Sequence, residues 1–600
     1  MRLTPTPLAF QGRILLIKLM VIAGFLIVLG GYYRIQILER EHYEALGEKY
    51  RIKKRRIHAT RGLIYDRNEH LITQNMPTYN LILLRDEMEE SWGKFKPRIA
   101  NFLNLTEDEL DRRYARRSQL LSQPVLLLEN IDFSESMRIR RSRRRFPGLA
   151  IETTERRFYT YGSLFTHVLG YVGEISKEKL GAFKNAKMGD IVGQSGIELA
   201  YNELLTGIDG ERTIMIDNRG VYRQSTVSLP PSPGNDIFLT IDFELQKLAY
   251  DVLDGRRGAI VLMDIRTGGL LVYISSPTFN LNLFTQSMSQ DQWNELLQSP
   301  GKPFLNRPIQ GTYAPGSVFK MVSALAALRS NKVTPATTYF CGGSFDYFNH
   351  TFYCHKRAGH GLLDLERAIQ GSCNVYFYQV AKDLDIDELA AMAHDFGFGQ
   401  TTNIDLKGEK VGLVPDRAWK RERYKQVWFP GETLSVSIGQ GSLQTTPMQL
   451  LKLMAALGAD GKIPTPHFLL KSGKNQTYQT PDIPFVHIPN VKPEHYQLMR
   501  KAMWKVVNQS DGSGSRAAVE GFDVCGKTGS AQLVTFTSEA ERKEDALVNA
   551  WFAGFAPRDQ TEVAIVVLVE QAGHGGSNAA PIAKIVLEAY QKRNAELDPT

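Results

Sequence analysis

The sequence predicts an α+β protein tethered by a membrane helix, on three observations. An apolar run of about twenty residues opens the chain. A Pro/Gly-rich break, Leu229 to Asp236, divides the remainder. Beyond it, strand-like runs at both ends enclose a mainly helical middle, the pattern of one sheet completed late with a helical subdomain beside it. The 600 residues are 43% hydrophobic and 23% charged, with no long low-complexity tract, so disorder is not the expectation and two to four domains are.

The apolar run is "ILLIKLMVIAGFLIVLGGYY", Ile14 to Tyr33, in which only Lys18 is charged, near enough to one end to snorkel. It has no clear small-residue cleavage site after it, so an uncleaved anchor is expected rather than a signal peptide. The organisation expected is a short cytoplasmic tail (1–13), an anchor (14–34), a first extracytoplasmic region (35–236) and a C-terminal domain (237–600). Arg2, Arg13 and Lys18 mark the short side, yet "RIKKRRIHATR" after the anchor is more basic; large domains translocate largely regardless of charge, so a cytoplasmic N-terminus remains tenable. The net charge of +8 and the basic runs Lys53 to Arg56 and Arg138 to Arg145 accompany no nucleic-acid recognition fold, and read as solvated or membrane-facing surface.

After the anchor, "ATRGLIYDRNEHLI" reads as extended chain with a turn at Asp66 to Glu69. Thr106, three residues before Glu109, starts a helix as in a capping box. "IFLTIDFELQKLAYDVL" reads as a strand running into a helix, and "GAIVLMDIRTGGLLVYIS" as a hairpin on an R-T-G-G turn. The last strands fall in "GKTGSAQLVTF", "NAWFAGFAP" and "EVAIVVLVE", and "APIAKIVLEAYQKR" closes the chain as a helix.

Residues 521 to 528, "GFDVCGKT", match the phosphate-loop pattern G-x-x-x-x-G-K-T. Such a loop joins an apolar strand to a helix. Here no apolar strand precedes it, Phe522 and Val524 crowd the loop, and the alternation from Gln532 to Thr537 suits a strand, so Lys527 calls for another role. Upstream, "YAPGSVFK" supplies Ser317 and Lys320 three apart, on one face if a helix starts at Pro315. A desolvated lysine near other cations loses basicity, and its neutral form can accept a serine proton. "SCN" adds Ser372 and Asn374, and "KTGS" adds Lys527, Thr528, Gly529 and Ser530. S-x-x-K is weak alone, since most such pairs are solvent-facing helix turns; the three elements in this order are the active-serine signature of penicillin-reacting enzymes.

With "ATRGLIYDRN", "RRFYTYGSLFTHVLGYVGE", "GQSGIELAYNELLTGIDG", "FGFGQTTNIDLKGE" and "SIGQGSLQTTPMQL", the chain resembles the class B penicillin-binding proteins over nearly its whole length. "GHG" at His360, "EQAGHGGSNAAPIAKIVLEAY" and a cysteine-bearing insertion resemble the elongation type more than the septal type. The resemblance implies a pedestal with a head insertion over 35–236, and a transpeptidase domain with a central antiparallel sheet, flanking helices and a helical subdomain over 237–600. It implies a periplasmic catalytic domain on the bacterial inner membrane, cross-linking of peptidoglycan stem peptides ending in D-Ala-D-Ala, and covalent inhibition by β-lactams. Its partners would be a SEDS-family glycosyltransferase and other elongation-complex membrane proteins. Ser317 would be the nucleophile and Lys320 its base, with Ser372 and Lys527 relaying the proton and Asn374 orienting the peptide. Backbone N–H groups of Ser317 and Ser530 would form the oxyanion hole, and Lys527, Thr528 and Ser530, in the Gly529 strand, would hold the terminal carboxylate. A β-lactam-binding sensor and a soluble-type β-lactamase are the competing functions; the long region between anchor and catalytic motifs argues against both.

No cofactor is expected for catalysis. Cys525 reads as a buried small residue. Cys341, Cys354, His355 and Cys373 offer three thiolates and an imidazole, a set suited to structural zinc, but the spacing fits no compact zinc finger. A Cys341–Cys354 disulfide, which the compartment favours, and three unconnected thiols compete. The resemblance favours zinc, because some elongation-type members carry a metal in this insertion.

Overall fold

The computed structural model describes residues 7–43, 52–116, 124–184, 186–216, 222–286, 288–532 and 548–597. Helix α1 (Pro7–Tyr33) runs into a π-helical turn, Arg34–Leu38. Among the described residues, Gly12–Leu38 is the one helical segment long and apolar enough to cross a membrane, and none of its residues is buried in the protein. At 1.5 Å per residue it spans about 40 Å, enough for a bilayer's hydrocarbon core with some tilt.

The chain divides into two compact units. The first comprises Met1–Thr60, Tyr79–Thr154 and Gly207–Pro233. It contains an antiparallel sheet of Ile52–Ile57, Gly210–Ile216 and Tyr222–Leu229, with Gly210–Ile216 central. Its own core gathers Leu81, Leu83, Phe95, Ile99, Leu110, Val125 and Phe146. Thr106 caps the helix Glu107–Arg116, its hydroxyl accepting the Glu109 N–H at 3.2 Å, as the sequence pattern predicts.

The second unit comprises Arg61–Thr78, Glu155–Thr206 and Gly234–Thr600. Ile64, Ile72, Tyr159, Phe165, Ile197 and Leu205 lie in the same hydrophobic core as the C-terminal strands, so two stretches from before the Pro/Gly break complete this unit. They are locked by Glu198, fully buried, which takes Arg61 at 2.6 Å and Arg157 at 2.7 Å. Burial pushes the Glu198 carboxyl up, but the two guanidiniums outweigh it and the net shift is downward.

The central sheet is built from β1 (Gly258–Asp264) and β2 (Leu270–Ser276), the hairpin read from the sequence, and three late strands. Between them in sequence lie α2 (Lys320–Arg329), α3 (Asn374–Asp383), α4 (Pro447–Gly458) and α5 (Pro493–Asn508). Then come β3 (Cys525–Gln532), β4 (Val548–Ala556), β5 (Val563–Val569) and the closing helix α6 (Ala580–Leu597). The order is β2-β1-β5-β4-β3, antiparallel throughout. β1, β2 and β5 are buried at every residue, which is why they read as unbroken apolar runs. α4 and α6 both pack on this sheet. β3 stands at its edge; the continuation of that strand expected from Leu533 to Phe536 lies outside the described residues.

Candidate active site and cysteine cluster

Pro315 leads into a 3-10 turn, Gly316–Val318, and α2 begins at Lys320, so Ser317 sits in the turn and Lys320 on the first helical residue. Lys320 is fully buried; Ser317 is half-buried. The turn is pressed onto β3: a β-carbon on Gly316 would lie 3.2 Å from the Ser530 carbonyl oxygen and 3.3 Å from its nitrogen. From the other side comes Gly439, with φ +75°, where a β-carbon would stand 2.0 Å from the Gly316 carbonyl oxygen. Only glycine fits there. This brings the backbone of Ser317 beside that of Ser530, the pair of N–H groups expected for an oxyanion hole.

Ser372 precedes α3 with φ +55°, a strained setting for a non-glycine residue. It lies between the two lysines. Lys527 Nζ donates to Ser372 Oγ at 2.9 Å, and Lys320 Nζ donates to the Ser372 carbonyl at 2.7 Å, with Ser372 Oγ at 3.4 Å. Lys320 Nζ also donates to Asn374 Oδ1 at 2.7 Å. Among the described residues no side chain hydrogen-bonds the Ser317 hydroxyl, and the Lys320 amine is engaged with Ser372 and Asn374.

Burial lowers the Lys320 amine to about 8, against a smaller upward pull from the Cys373 and Cys354 sulfurs. Burial drives Lys527 well below its ordinary value, and the nearby Lys320 pushes it the same way. Two buried ammonium groups sharing Ser372 cannot both stay charged cheaply, so at least one is available as a neutral proton acceptor.

Three residues beside the site were not singled out from sequence. Ser513 Oγ accepts from Thr528 Oγ1 at 3.0 Å, Gln440 Nε2 reaches the Ser530 carbonyl at 3.4 Å, and Ser530 Oγ shares a 3.5 Å hydrogen bond with His574 Nδ1 while taking the Gly575 N–H at 3.3 Å. Gln440 lies in "SIGQGS", a Gly-flanked stretch that could have marked it; Ser513 and His574 stand in glycine-rich loops whose approach to the site only the fold sets. The G-x-x-x-x-G-K-T match is no phosphate loop: Lys527 and Thr528 lie inside β3, and no helix follows the lysine.

The four cysteines are free thiols, so the Cys341–Cys354 disulfide is not formed. Cys525 stands apart, buried in β3, its thiol near the Arg500 carbonyl at 3.4 Å. The other three converge: Cys341 ends strand Tyr339–Cys341, Cys354 follows the hairpin Ser344–Tyr347/His350–Tyr353, and Cys373 caps α3. The imidazole that joins them is His360, correcting the sequence-based choice of His355. His360 Nδ1 is 3.6 Å from Cys341 Sγ and 3.5 Å from Cys354 Sγ, and Cys354 Sγ is 4.0 Å from Cys373 Sγ. All four donor atoms lie within 4.8 Å of one another. His355 touches Cys354 alone, at 3.9 Å. The physical reason is register: the His360 N–H bonds the Cys341 carbonyl at 3.0 Å, which seats its ring over the thiols, whereas His355 is exposed on the loop. The Cys354–Cys373 hydrogen bond favours a thiolate on Cys354 and holds the proton on Cys373.

Residues 258–588 match the penicillin binding protein transpeptidase domain, and 56–239 the penicillin-binding protein dimerisation domain. Among curated proteins the chain is similar to peptidoglycan D,D-transpeptidase MrdA of Haemophilus influenzae, 33% identical over 93% of this chain and 88% of that protein. It is similar to MrdA of Acinetobacter baumannii, 34% identical over 97% and 88%, and of Escherichia coli, 32% over 92% and 89%. Among solved structures it is similar to the penicillin-binding protein PBP2 of Helicobacter pylori in complex with MreC, with TM-score 0.79 and 31% identity over 90% of this chain and 99% of that one. It is also similar to Pseudomonas aeruginosa PBP2 in complex with WCK 5153, with TM-score 0.67 and 31% identity over 90% and 96%. A serine and two buried lysines meeting on a strand edge, carried by a chain with these likenesses end to end, lead to one conclusion: it belongs to the class B penicillin-binding proteins of the PBP2 family, the MrdA-like peptidoglycan D,D-transpeptidases of cell-wall elongation.

Proposed function

We propose that Ser317 is the nucleophile of an acyl-enzyme mechanism in which Lys320 is the base. The observation that carries it is the convergence of Lys320 and Lys527 on Ser372, both amines depressed by burial. Neutral Lys320 takes the Ser317 proton as Ser317 Oγ bonds to the carbonyl carbon of the penultimate D-Ala. The oxyanion so formed sits between the N–H groups of Ser317 and Ser530, an arrangement typically worth ~3 kcal/mol per donor. The proton passes through Ser372, with Lys527, to the nitrogen of the terminal D-Ala as the C–N bond breaks. An amine of a second stem peptide then attacks the ester and regenerates the Ser317 hydroxyl. Thr528 and Ser530 present hydroxyls at the edge of β3, where the donor peptide adds as an extended strand and its terminal carboxylate meets Lys527.

The donor set of Cys341, Cys354, His360 and Cys373 suits a tetrahedral zinc ion, whose ligand atoms stand about 3.5–3.8 Å apart. Held by these four residues, a zinc ion would tie the insertion to the S-x-N loop through Cys373 and would supply no catalytic step. The helix Gly12–Leu38 anchors the chain in the inner membrane, with the catalytic unit on the periplasmic side. An MreC-type protein and a SEDS-type glycan polymerase are its partners: one solved relative is a complex with MreC, and another, with TM-score 0.69, is a peptidoglycan synthase complex that coordinates polymerization and crosslinking. Ser317→Ala in the full-length protein tests the assignment, and covalent penicillin labelling that survives the substitution refutes it.

A further inference from the structure

We infer that Arg357 forms a carboxylate-binding subsite of the cleft and selects acyl-donor stem peptides that carry a free acidic group upstream of D-Ala-D-Ala. The inference rests on the serine mechanism above and names the substrate chemistry that mechanism leaves open. Asn374 is the hinge of the argument. Its Oδ1 takes the Lys320 ammonium at 2.7 Å, and its Nδ2 donates to the Tyr353 carbonyl at 3.2 Å. Tyr353 thus sits one residue from the catalytic lysine, held also by the Tyr378 hydroxyl at 3.5 Å. Tyr353 is 45% exposed as a residue, and the Arg357 guanidinium stacks on its ring with Cζ 3.7 Å from the ring centroid.

That stacking fixes a planar cation beside the cleft without neutralising it. Among the described residues no acidic side chain pairs with Arg357 or with its neighbour Lys356, and both are exposed. A guanidinium stacked on an aromatic ring keeps its in-plane N–H fork free, the geometry that binds a carboxylate bidentately. The direction of the peptide decides which carboxylate. On the mechanism proposed above the terminal carboxylate meets Lys527 and the β3 hydroxyls, and a donor whose N-terminal part runs past Asn374, which holds the Tyr353 carbonyl, meets Arg357 stacked on the Tyr353 ring. A stem peptide whose upstream residue bears a free carboxylate fits this cation, and one with that group amidated does not.

The test uses the full-length protein in detergent, with two synthetic donor pentapeptides ending in D-Ala-D-Ala that differ only in a free or amidated carboxylate upstream, and follows D-Ala release. The wild type should turn over the free acid with about tenfold higher kcat/KM than the amide. Arg357→Ala should bring the two substrates to within about twofold by lowering the free acid alone, and Arg357→Lys, which keeps charge but not the fork, should recover part of the preference. Equal turnover of both peptides by the wild type, or an equal loss of both in Arg357→Ala, overturns the inference. Penicillin acylation of each variant, run alongside, separates the two levels: normal labelling with no acid preference removes the subsite alone, whereas failure of the wild type to label removes the serine mechanism on which it rests.

Discussion

Replacing His360 by alanine, with His355→Ala as its counterpart, distinguishes the two imidazoles by metal content. A zinc ion at ~2.3 Å from sulfur and ~2.0 Å from nitrogen holds its donors about 3.5–3.8 Å apart. The separations to His360, 3.5 and 3.6 Å, fall in that range, and the 4.0 Å between the Cys354 and Cys373 sulfurs lies just outside it. His355 Nδ1 approaches only Cys354, at 3.9 Å, and can leave without opening a coordination position. Zinc present at a hundred times its dissociation constant stabilises the folded state by about 2.7 kcal/mol. A ~100-fold loss of affinity on removing one of four ligands therefore withdraws most of that. Elemental analysis of protein purified without chelator, paired with denaturant unfolding with and without a chelator, reads both quantities. One equivalent of zinc in wild type and His355→Ala, with substoichiometric zinc and a chelator-insensitive, lower midpoint in His360→Ala, is the expected result. Full zinc in His360→Ala with loss in His355→Ala refutes the geometric reasoning.

The base assignment predicts a pH profile: because burial lowers Lys320 to about 8, its acceptor form is scarce below that pH, so penicillin acylation should rise about tenfold per unit toward pH 8 and level off above it. A rate flat from pH 6 to 9 in stopped-flow acylation contradicts it. Gly439→Ala places a β-carbon 2.0 Å from the Gly316 carbonyl at φ +75°, a strain of about 2–4 kcal/mol that displaces the Ser317 turn; acylation should slow by at least tenfold while circular dichroism stays native. The unit boundaries make a paired prediction. Excising Tyr79–Thr154 leaves penicillin labelling intact, whereas Glu198→Ala, which strands Arg157 and Arg61 without their carboxylate, destabilises the catalytic unit by about 3–5 kcal/mol in denaturant titration.

What the sequence made legible follows from how local each signal is. The β1–β2 hairpin, α6 and the Thr106 cap are carried by contiguous patterns, and they stand where those patterns put them. Ser317, Lys320, Ser372 and Lys527 were proposed from short motifs on three separate chain segments, and the fold brings Lys320, Ser372 and Lys527 within hydrogen-bonding reach of one another. The histidine beside the thiols was misread for the converse reason. His355 is adjacent to Cys354 in sequence, but the pairing of Tyr339–Cys341 with Gly361–Leu363 carries His360 to the cluster, and strand pairing across twenty residues leaves no local mark. Residues 61–78 and 155–206 depend likewise on packing between distant segments. They share a core with the C-terminal unit through Ile64, Ile72, Ile197 and Leu205, while the only compositional break lies after them.

The central claim is that Ser317 carries the acyl group, and intact-mass spectrometry of the full-length protein after exposure to a penicillin tests it most directly. The account predicts one stable adduct of one penicillin mass, mapped by proteolysis to the peptide containing Ser317, and none on a folded Ser317→Ala variant. An adduct on another residue, or undiminished labelling of Ser317→Ala, contradicts it.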